Sequence, residues 1–176
     1  MKTSIALIGF MGTGKTVVGK ALAEKLGREF VELDALIEQK AGKPIPDVFQ
    51  QDGEIAFREL EIEVAKEVSQ GKNQVVACGG GVVLNKINID RLKKGAVLVC
   101  LTASPEAILK RTSADGDERP LLKTPDKAAV IREMLSFRKP FYERAADITI
   151  DTSRLDIDAV VDQIIKRLKE DEGFNL

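Results

Sequence analysis

The segment Gly9-Phe10-Met11-Gly12-Thr13-Gly14-Lys15-Thr16 does most to determine which fold this chain can adopt. It matches the phosphate-binding pattern G-x-x-x-x-G-K-[ST], and it lies between an apolar run, Ser4 to Gly9, and a helical pattern, Val17 to Leu26. Glycines let backbone N–H groups converge on phosphate oxygens at the start of a helix, so the loop predicts an anion cradle. By motif position, Lys15 is assigned to the β- and γ-phosphates and the Thr16 hydroxyl to Mg²⁺.

Short β-branched runs alternate with helical stretches along the rest of the chain. The strand-like runs are Ser4 to Gly9, Glu29 to Leu33, Gln74 to Cys78, Ala96 to Leu101 and Asp147 to Asp151. The near-continuous apolar character of the first and fourth runs is typical of strands covered on both faces. The sequence therefore predicts an α/β fold with a parallel sheet, in one domain spanning residues 1–176, with a solvated tail after Lys169.

Composition excludes several classes of function. The chain has 27 basic and 28 acidic residues, a net charge of −1, so it has no broad positive field for nucleic acid. No apolar run approaches the roughly 20 residues that cross a bilayer, so no membrane span is expected. The chain contains no histidine, which excludes a histidine base and a histidine-ligated zinc. Cys78 and Cys100 lie in apolar runs and are predicted to be buried free thiols, which favours a cytoplasmic location.

Other classes that use a phosphate-binding loop fit less well. A GTPase needs Asn-Lys-x-Asp to read guanine, and the nearest string, residues 85–88, ends in asparagine. In an ATPase motor an apolar strand commonly ends in Asp-Glu, whereas the strand from Gln74 ends in three glycines. A kinase for a small molecule is the interpretation that remains.

The acceptor side of such a kinase is indicated by polar groups and glycines at strand ends. Gly79, Gly80 and Gly81 bring bare backbone to the ligand-binding edge of an α/β sheet, and Asp34 follows the second strand. Asp34 can alternatively cap a helix. Arg58 and Glu61 share a helix face, as a ligand-binding pair or as a surface salt bridge, and Arg138 places a guanidinium suited to a carboxylate among apolar residues.

Together these motifs resemble the shikimate kinase family over nearly the whole chain. The matching residues are 9–16, Asp34 to Glu38, Ile45 to Glu54, Phe57-Arg58, 79–81, Arg119 to Leu122, and Arg138 with Tyr142. The resemblance implies ATP-dependent phosphorylation of the 3-hydroxyl of shikimate by a monomer. It also implies a P-loop fold of the nucleoside-monophosphate-kinase type, with sheet order 2-3-1-4-5, helices on both faces, a substrate-binding helical segment at about 34–62 and a mobile lid at about 112–125.

The resemblance also implies a role for each site residue. Lys15, Asp34 and Arg119 would be catalytic. ATP would be held by Gly12, Thr13, Gly14, Lys15, Thr16, Val17, Arg111, Arg119 and Arg154. Shikimate would contact Asp34, Phe49, Phe57, Arg58, Gly79, Gly80, Gly81 and Arg138. Mg²⁺ would be bound by Thr16 and, through water, by Glu32.

Two positions depart from the family pattern. Glu32 stands where aspartate is common, and Cys78 stands where a small hydroxyl residue usually precedes the glycines. We expect altered metal affinity rather than lost activity. Two alternatives stay open at this point: a sister kinase for gluconate or another hydroxy acid, and a kinase-like binding protein without turnover.

Overall fold

The alternating pattern folds into one parallel sheet in the computed structural model, which describes residues 1–114 and 119–176. The strands are β1 (Ser4–Ile8), β2 (Glu29–Glu32), β3 (Gln74–Ala77), β4 (Ala96–Thr102) and β5 (Ile148–Asp151). Their order is β2-β3-β1-β4-β5, and each neighbouring pair is parallel, which confirms the predicted topology. All carboxyl ends consequently lie at one edge, where open α/β sheets bind ligands.

Helices cover both faces of the sheet, because successive side chains of its central strands point to opposite faces and are apolar on both. The described helices are α1 (Lys15–Leu26), α2 (Leu33–Ala41), α3 (Ile45–Gln51), α4 (Gly53–Val68), α5 (Lys86–Leu92), α6 (Pro105–Ala114), α7 (Lys127–Ala145) and α8 (Ile157–Lys169). In β1, Ile5 and Leu7 pack against α1 and α8, whereas Ala6 and Ile8 belong to the core formed with the other helices. Two hydrophobic cores therefore share one sheet.

The predicted lid coincides only partly with described structure. Helix α6 continues through Ala114, so it extends beyond the predicted start of the lid at residue 112. Within its last turn, the Thr112 hydroxyl donates to the Ile108 carbonyl at 2.8 Å. A 3₁₀ helix follows at Pro120–Leu122. The lid residues 115–118 lie outside the described residues, so the lid stays a prediction.

The prediction of a solvated tail is wrong for Phe174, although most of the other residues after Lys169 are exposed. Phe174 is only 8% exposed and packs in the core with α1 and α8, and the Arg28 guanidinium lies 4.9 Å from its ring centre. The Asn175 amide donates to the Lys2 carbonyl at 2.9 Å. The tail is ordered because this one aromatic side chain buries apolar surface beside the N-terminus of the chain.

Two predictions about side-chain burial and membrane association can be compared with the structure. Cys78 and Cys100 are both buried and free, as expected. Over the described ranges, none of the helices combines the length and the apolarity needed to span a bilayer.

Candidate active site

The phosphate-binding loop connects β1 to α1 at the ligand-binding edge of the sheet. Gly14 precedes the helix with a φ of 95°, a conformation that favours glycine. The Lys15 ammonium donates to the carbonyls of Gly9 and Phe10, both at 2.8 Å. Burial lowers the pKa of Lys15 to about 8, although the nearby Asp34 carboxylate acts in the opposite direction. A half-buried cation is held inside the loop by these two hydrogen bonds.

The residues predicted to bind the metal lie next to each other. The Thr16 hydroxyl donates to the Glu32 carboxylate at 2.7 Å, and Glu32 is the last residue of β2. Within the described ranges, no three acidic or cysteine side chains form a cluster that could hold a metal alone. Mg²⁺ typically uses one or two protein oxygens together with substrate phosphates and water. A hydroxyl and a carboxylate at the phosphate loop fit that requirement.

A pocket of about 590 Å³ extends from the phosphate loop. It contains every residue predicted to hold ATP except Arg154, together with Glu32 and Asp34. Arg154 is exposed and lines a separate surface depression beside β5 and α8. The pocket is also lined by Leu155, Asp156 and Ile157, which the sequence did not point to. This part of the site depends on the turn between β5 and α8, which carries no recognisable motif.

A second pocket of about 440 Å³ adjoins the first. Phe49 of α3 and Phe57 of α4 lie in its wall with ring centres 4.7 Å apart, and every residue predicted to contact shikimate lines it. The two pockets share Met11, Asp34, Gly79, Gly80 and Arg119. Ligands bound in the two pockets would therefore face each other across Asp34.

Asp34 lies in the first turn of α2 and does not cap that helix, so the capping alternative is wrong. Its Oδ1 atom and the Oε2 atom of Glu61 are buried and accept no hydrogen bond from the described residues. Both atoms face Gly79, where a Cβ would lie 3.0 Å from the first and 3.1 Å from the second. Burial raises the pKa of Asp34 and of Glu61, and the Asp34 carboxylate raises the pKa of Glu61 further. These oxygens are available to a ligand or a water.

Glu61 also fixes Arg58. The Arg58 guanidinium donates to Glu61 at 3.0 Å and to Glu54 at 3.3 Å, and Glu61 is 0% exposed, which excludes a surface salt bridge. A Cβ at Gly81 would lie 2.2 Å from Arg58 Nη1, so the third glycine leaves room for the guanidinium. The burial of Glu61 could have been predicted from the sequence, because Glu61 occupies the apolar stripe of α4 with Phe57, Val64 and Val68.

Arg138 enters the second pocket from α7. It is 5% exposed, and its guanidinium lies 5.7 Å from the ring centre of Phe10. A Cβ at Gly80 would lie 3.5 Å from Arg138 Nη1. The Gly80 carbonyl accepts a hydrogen bond from the Tyr142 hydroxyl, whose pKa burial raises to about 12. Arg58 and Arg138 thus supply two fixed cations to one pocket.

The fold and the paired pockets define a P-loop protein of the nucleoside-monophosphate-kinase type, with a nucleotide pocket beside an acceptor pocket. The shikimate kinase family model matches residues 11–169. The chain belongs to the shikimate kinase family.

Individual relatives agree with this assignment. The chain is 42% identical over 168 residues to a shikimate kinase of Symbiobacterium thermophilum, covering 95% of this chain and 97% of the relative. It is 47% identical to one of Caldanaerobacter subterraneus, with coverage of 93% and 94%. The structure matches shikimate kinase from Acinetobacter baumannii in complex with shikimate, with a TM-score of 0.93, 37% identity and coverage of 98% and 96%. A gluconokinase of Sinorhizobium meliloti has a TM-score of 0.58, 18% identity and coverage of 96% and 92%, and therefore shares the fold alone.

Proposed function

We propose that this chain transfers the γ-phosphoryl group of ATP to the 3-hydroxyl of shikimate, giving shikimate 3-phosphate and ADP. The observation that carries the proposal is the meeting of the two pockets at Asp34. One pocket contains the phosphate loop, and the other contains the two guanidinium groups that suit the single carboxylate of shikimate. The family membership of the chain supports the same acceptor.

In this proposal the residues act mainly by alignment and charge neutralisation, because the transition state of phosphoryl transfer is loose and spreads charge over the equatorial oxygens. Lys15 and Arg119 stabilise that charge. Arg58 and Arg138 hold the carboxylate of shikimate, and Asp34 orients the hydroxyl and accepts its proton. Burial raises the pKa of Asp34, which strengthens it as a proton acceptor, while Lys15 keeps it from rising further.

Mg²⁺ belongs to the same proposal. When bound, it would neutralise the charge of the β- and γ-phosphates, and Thr16 and Glu32 are the residues that would hold it. Glu32 is one methylene longer than aspartate, and its direct hydrogen bond from Thr16 shows that it reaches the hydroxyl. We also propose a cytoplasmic monomer that acts on a small molecule and binds neither nucleic acid nor membrane, in line with a net charge of −1.

The proposal is tested by a panel of acceptors in a coupled assay of ADP release with Mg²⁺. Shikimate should support turnover, whereas gluconate and nucleoside monophosphates should not exceed the release seen without an acceptor. Release with gluconate alone would favour the sister-kinase alternative. Tight binding of ATP and shikimate without release would favour a binding protein that lacks turnover.

Replacing Arg138 with alanine should raise the KM for shikimate and leave the KM for ATP unchanged. The lost contact is a hydrogen-bonded charge pair, so the cost is on the order of 2–3 kcal/mol, or roughly 30- to 150-fold. Arg132→Ala, on the exposed side of the same helix, is the matched control and should behave like wild type. An unchanged KM for shikimate in Arg138→Ala would contradict the assignment.

Replacing Gly81 with alanine should damage shikimate binding through Arg58. The φ of Gly81 is −95°, so alanine fits the backbone, but its Cβ would collide with the Arg58 guanidinium and displace it from Glu61. We expect the KM for shikimate to rise by roughly tenfold or more. Gly95→Ala is the control, because the nearest atom to its Cβ would be 3.7 Å away. Equal shikimate KM values for the two variants would show that Arg58 does not depend on Gly81.

A further inference from the structure

The carbonyl groups of the phosphate loop are held by a network on the side away from the phosphates. An anion cradle requires backbone N–H groups that point inward, so the carbonyls between them point outward and need donors of their own. The Gly12 carbonyl accepts from Arg111 Nη1 at 3.1 Å, and the Thr13 carbonyl accepts from the Thr152 hydroxyl at 3.1 Å. Neither donor belongs to the loop or to the helix that follows it.

Thr152 is the centre of this network. It follows β5, is 3% exposed, and its Oγ1 lies 2.9 Å from the Thr102 carbonyl as well as 3.1 Å from that of Thr13. A hydroxyl has one proton, so it donates fully to one acceptor at a time. The Thr102 carbonyl already accepts from the Thr152 amide at 2.8 Å. The Thr102 carbonyl thus does not depend on the hydroxyl proton, which can be donated to the Thr13 carbonyl instead.

Arg111 fixes the orientation of that proton. Its Nη1 donates to the Thr152 hydroxyl oxygen at 3.1 Å, and its Nη2 donates to the Thr152 carbonyl at 2.9 Å. Since Arg111 can only donate, it occupies an acceptor lone pair of the hydroxyl. The hydroxyl proton therefore points away from Arg111, toward the carbonyls of Thr13 and Thr102. Both side chains also line the nucleotide pocket. The network thus links the wall of that pocket to the backbone of the loop.

We propose that Thr152 is a positioning residue for the phosphate donor. With Arg111, it holds the Gly12 and Thr13 carbonyls away from the pocket, so that the N–H groups of the loop face the phosphates. This inference rests on the nucleotide half of the proposed function and is independent of which acceptor is used. Loss of the Thr152 hydroxyl should weaken the binding of phosphate-bearing nucleotides more than the binding of adenosine.

Two substitutions separate the hydroxyl from the shape of the side chain. Thr152→Val keeps the shape and removes the hydroxyl, whereas Thr152→Ser keeps the hydroxyl. Calorimetric titration of the full-length protein with ADP and with adenosine should show ADP binding weakened roughly tenfold in Thr152→Val, the scale of one hydrogen bond, with adenosine changed less than about twofold. Thr152→Ser should bind ADP like wild type.

Several outcomes would overturn the proposal. Unchanged ADP binding in Thr152→Val would do so, as would equal losses for ADP and adenosine, or a Thr152→Ser variant as weak as Thr152→Val. If Thr152→Val does not fold, Thr152→Ala is titrated with inorganic pyrophosphate, which contains no base. Weakened pyrophosphate binding supports the network, and unchanged pyrophosphate binding refutes it. Failure of shikimate turnover would refute the acceptor assignment without affecting these measurements.

Discussion

Replacing Asp34 with asparagine should lower kcat by a factor on the order of 10²–10⁴, the range of a positioned acid–base group, while the Kd for ADP stays within about twofold. Asp34 lies where the two pockets meet, and Oδ1 has no hydrogen-bond donor among the described residues. Asparagine keeps the shape but cannot accept the proton of the acceptor hydroxyl. The loss should therefore appear in turnover rather than in nucleotide binding.

The asparagine variant should also remain folded. Its amide can donate toward the buried Oε2 of Glu61, which faces the same point beside Gly79. Single-turnover measurement of phosphoryl transfer, together with calorimetric titration of ADP, separates the two effects. Asp90→Asn, at an exposed position of α5, is the control and should match wild type in both measurements. Near-normal kcat in Asp34→Asn would show that Asp34 does not take part in the chemical step.

Replacing Lys15 with methionine should reduce kcat/KM for ATP by a factor on the order of 10²–10³ or more, the cost of removing one donor from a developing charge. The same substitution should stabilise the folded chain. Burial lowers the pKa of Lys15 to about 8 from its ordinary value of 10.5, so the folded state bears a free-energy cost for the charged form. Methionine removes that cost, which is roughly 3 kcal/mol for this change in pKa, but it also removes the hydrogen bonds to the Gly9 and Phe10 carbonyls, so the net gain should be on the order of 2 kcal/mol near neutral pH.

The pH dependence of this gain has a definite sign. Below pH 8 Lys15 is charged in both the folded and the unfolded chain, and the cost is fully present. Between pH 8 and 10.5 the folded state releases the proton while the unfolded state keeps it, so the cost decreases as the pH rises. Denaturant unfolding of both proteins at about pH 7 and about pH 10 should show a shrinking difference. Lys20→Met, an exposed change in α1, should show no such trend.

The sequence predicted the parts of the site that depend on local backbone chemistry. The phosphate loop and the glycines at 79–81 were recognisable because a tight approach of backbone to a ligand or a guanidinium needs glycine. The alternation of apolar runs was enough to predict a parallel sheet. The order of its strands required the family resemblance, because spacing alone does not determine which strands are neighbours.

Contacts between segments distant in sequence were not predictable. The docking of Phe174 depends on which surfaces meet after folding, whereas the burial of Glu61 was indicated by its place in the apolar stripe of α4. The hydrogen bond from Thr152 to the loop joins residues 139 positions apart, and no motif signals it. Arg154 was assigned to the nucleotide by resemblance, yet it lines a different depression, since the turn before α8 brings Leu155 to the pocket instead.

The central claim is that ATP and shikimate react where the two pockets meet. Phosphorus NMR of a reaction that contains the chain, Mg²⁺, ATP and shikimate tests it most directly, because it identifies the product as well as the consumption of ATP. We expect one new phosphomonoester resonance, coupled to the ring proton at carbon 3 of shikimate, that grows in step with ADP. Formation of ADP and inorganic phosphate alone, or of a phosphoester at another hydroxyl, would contradict it.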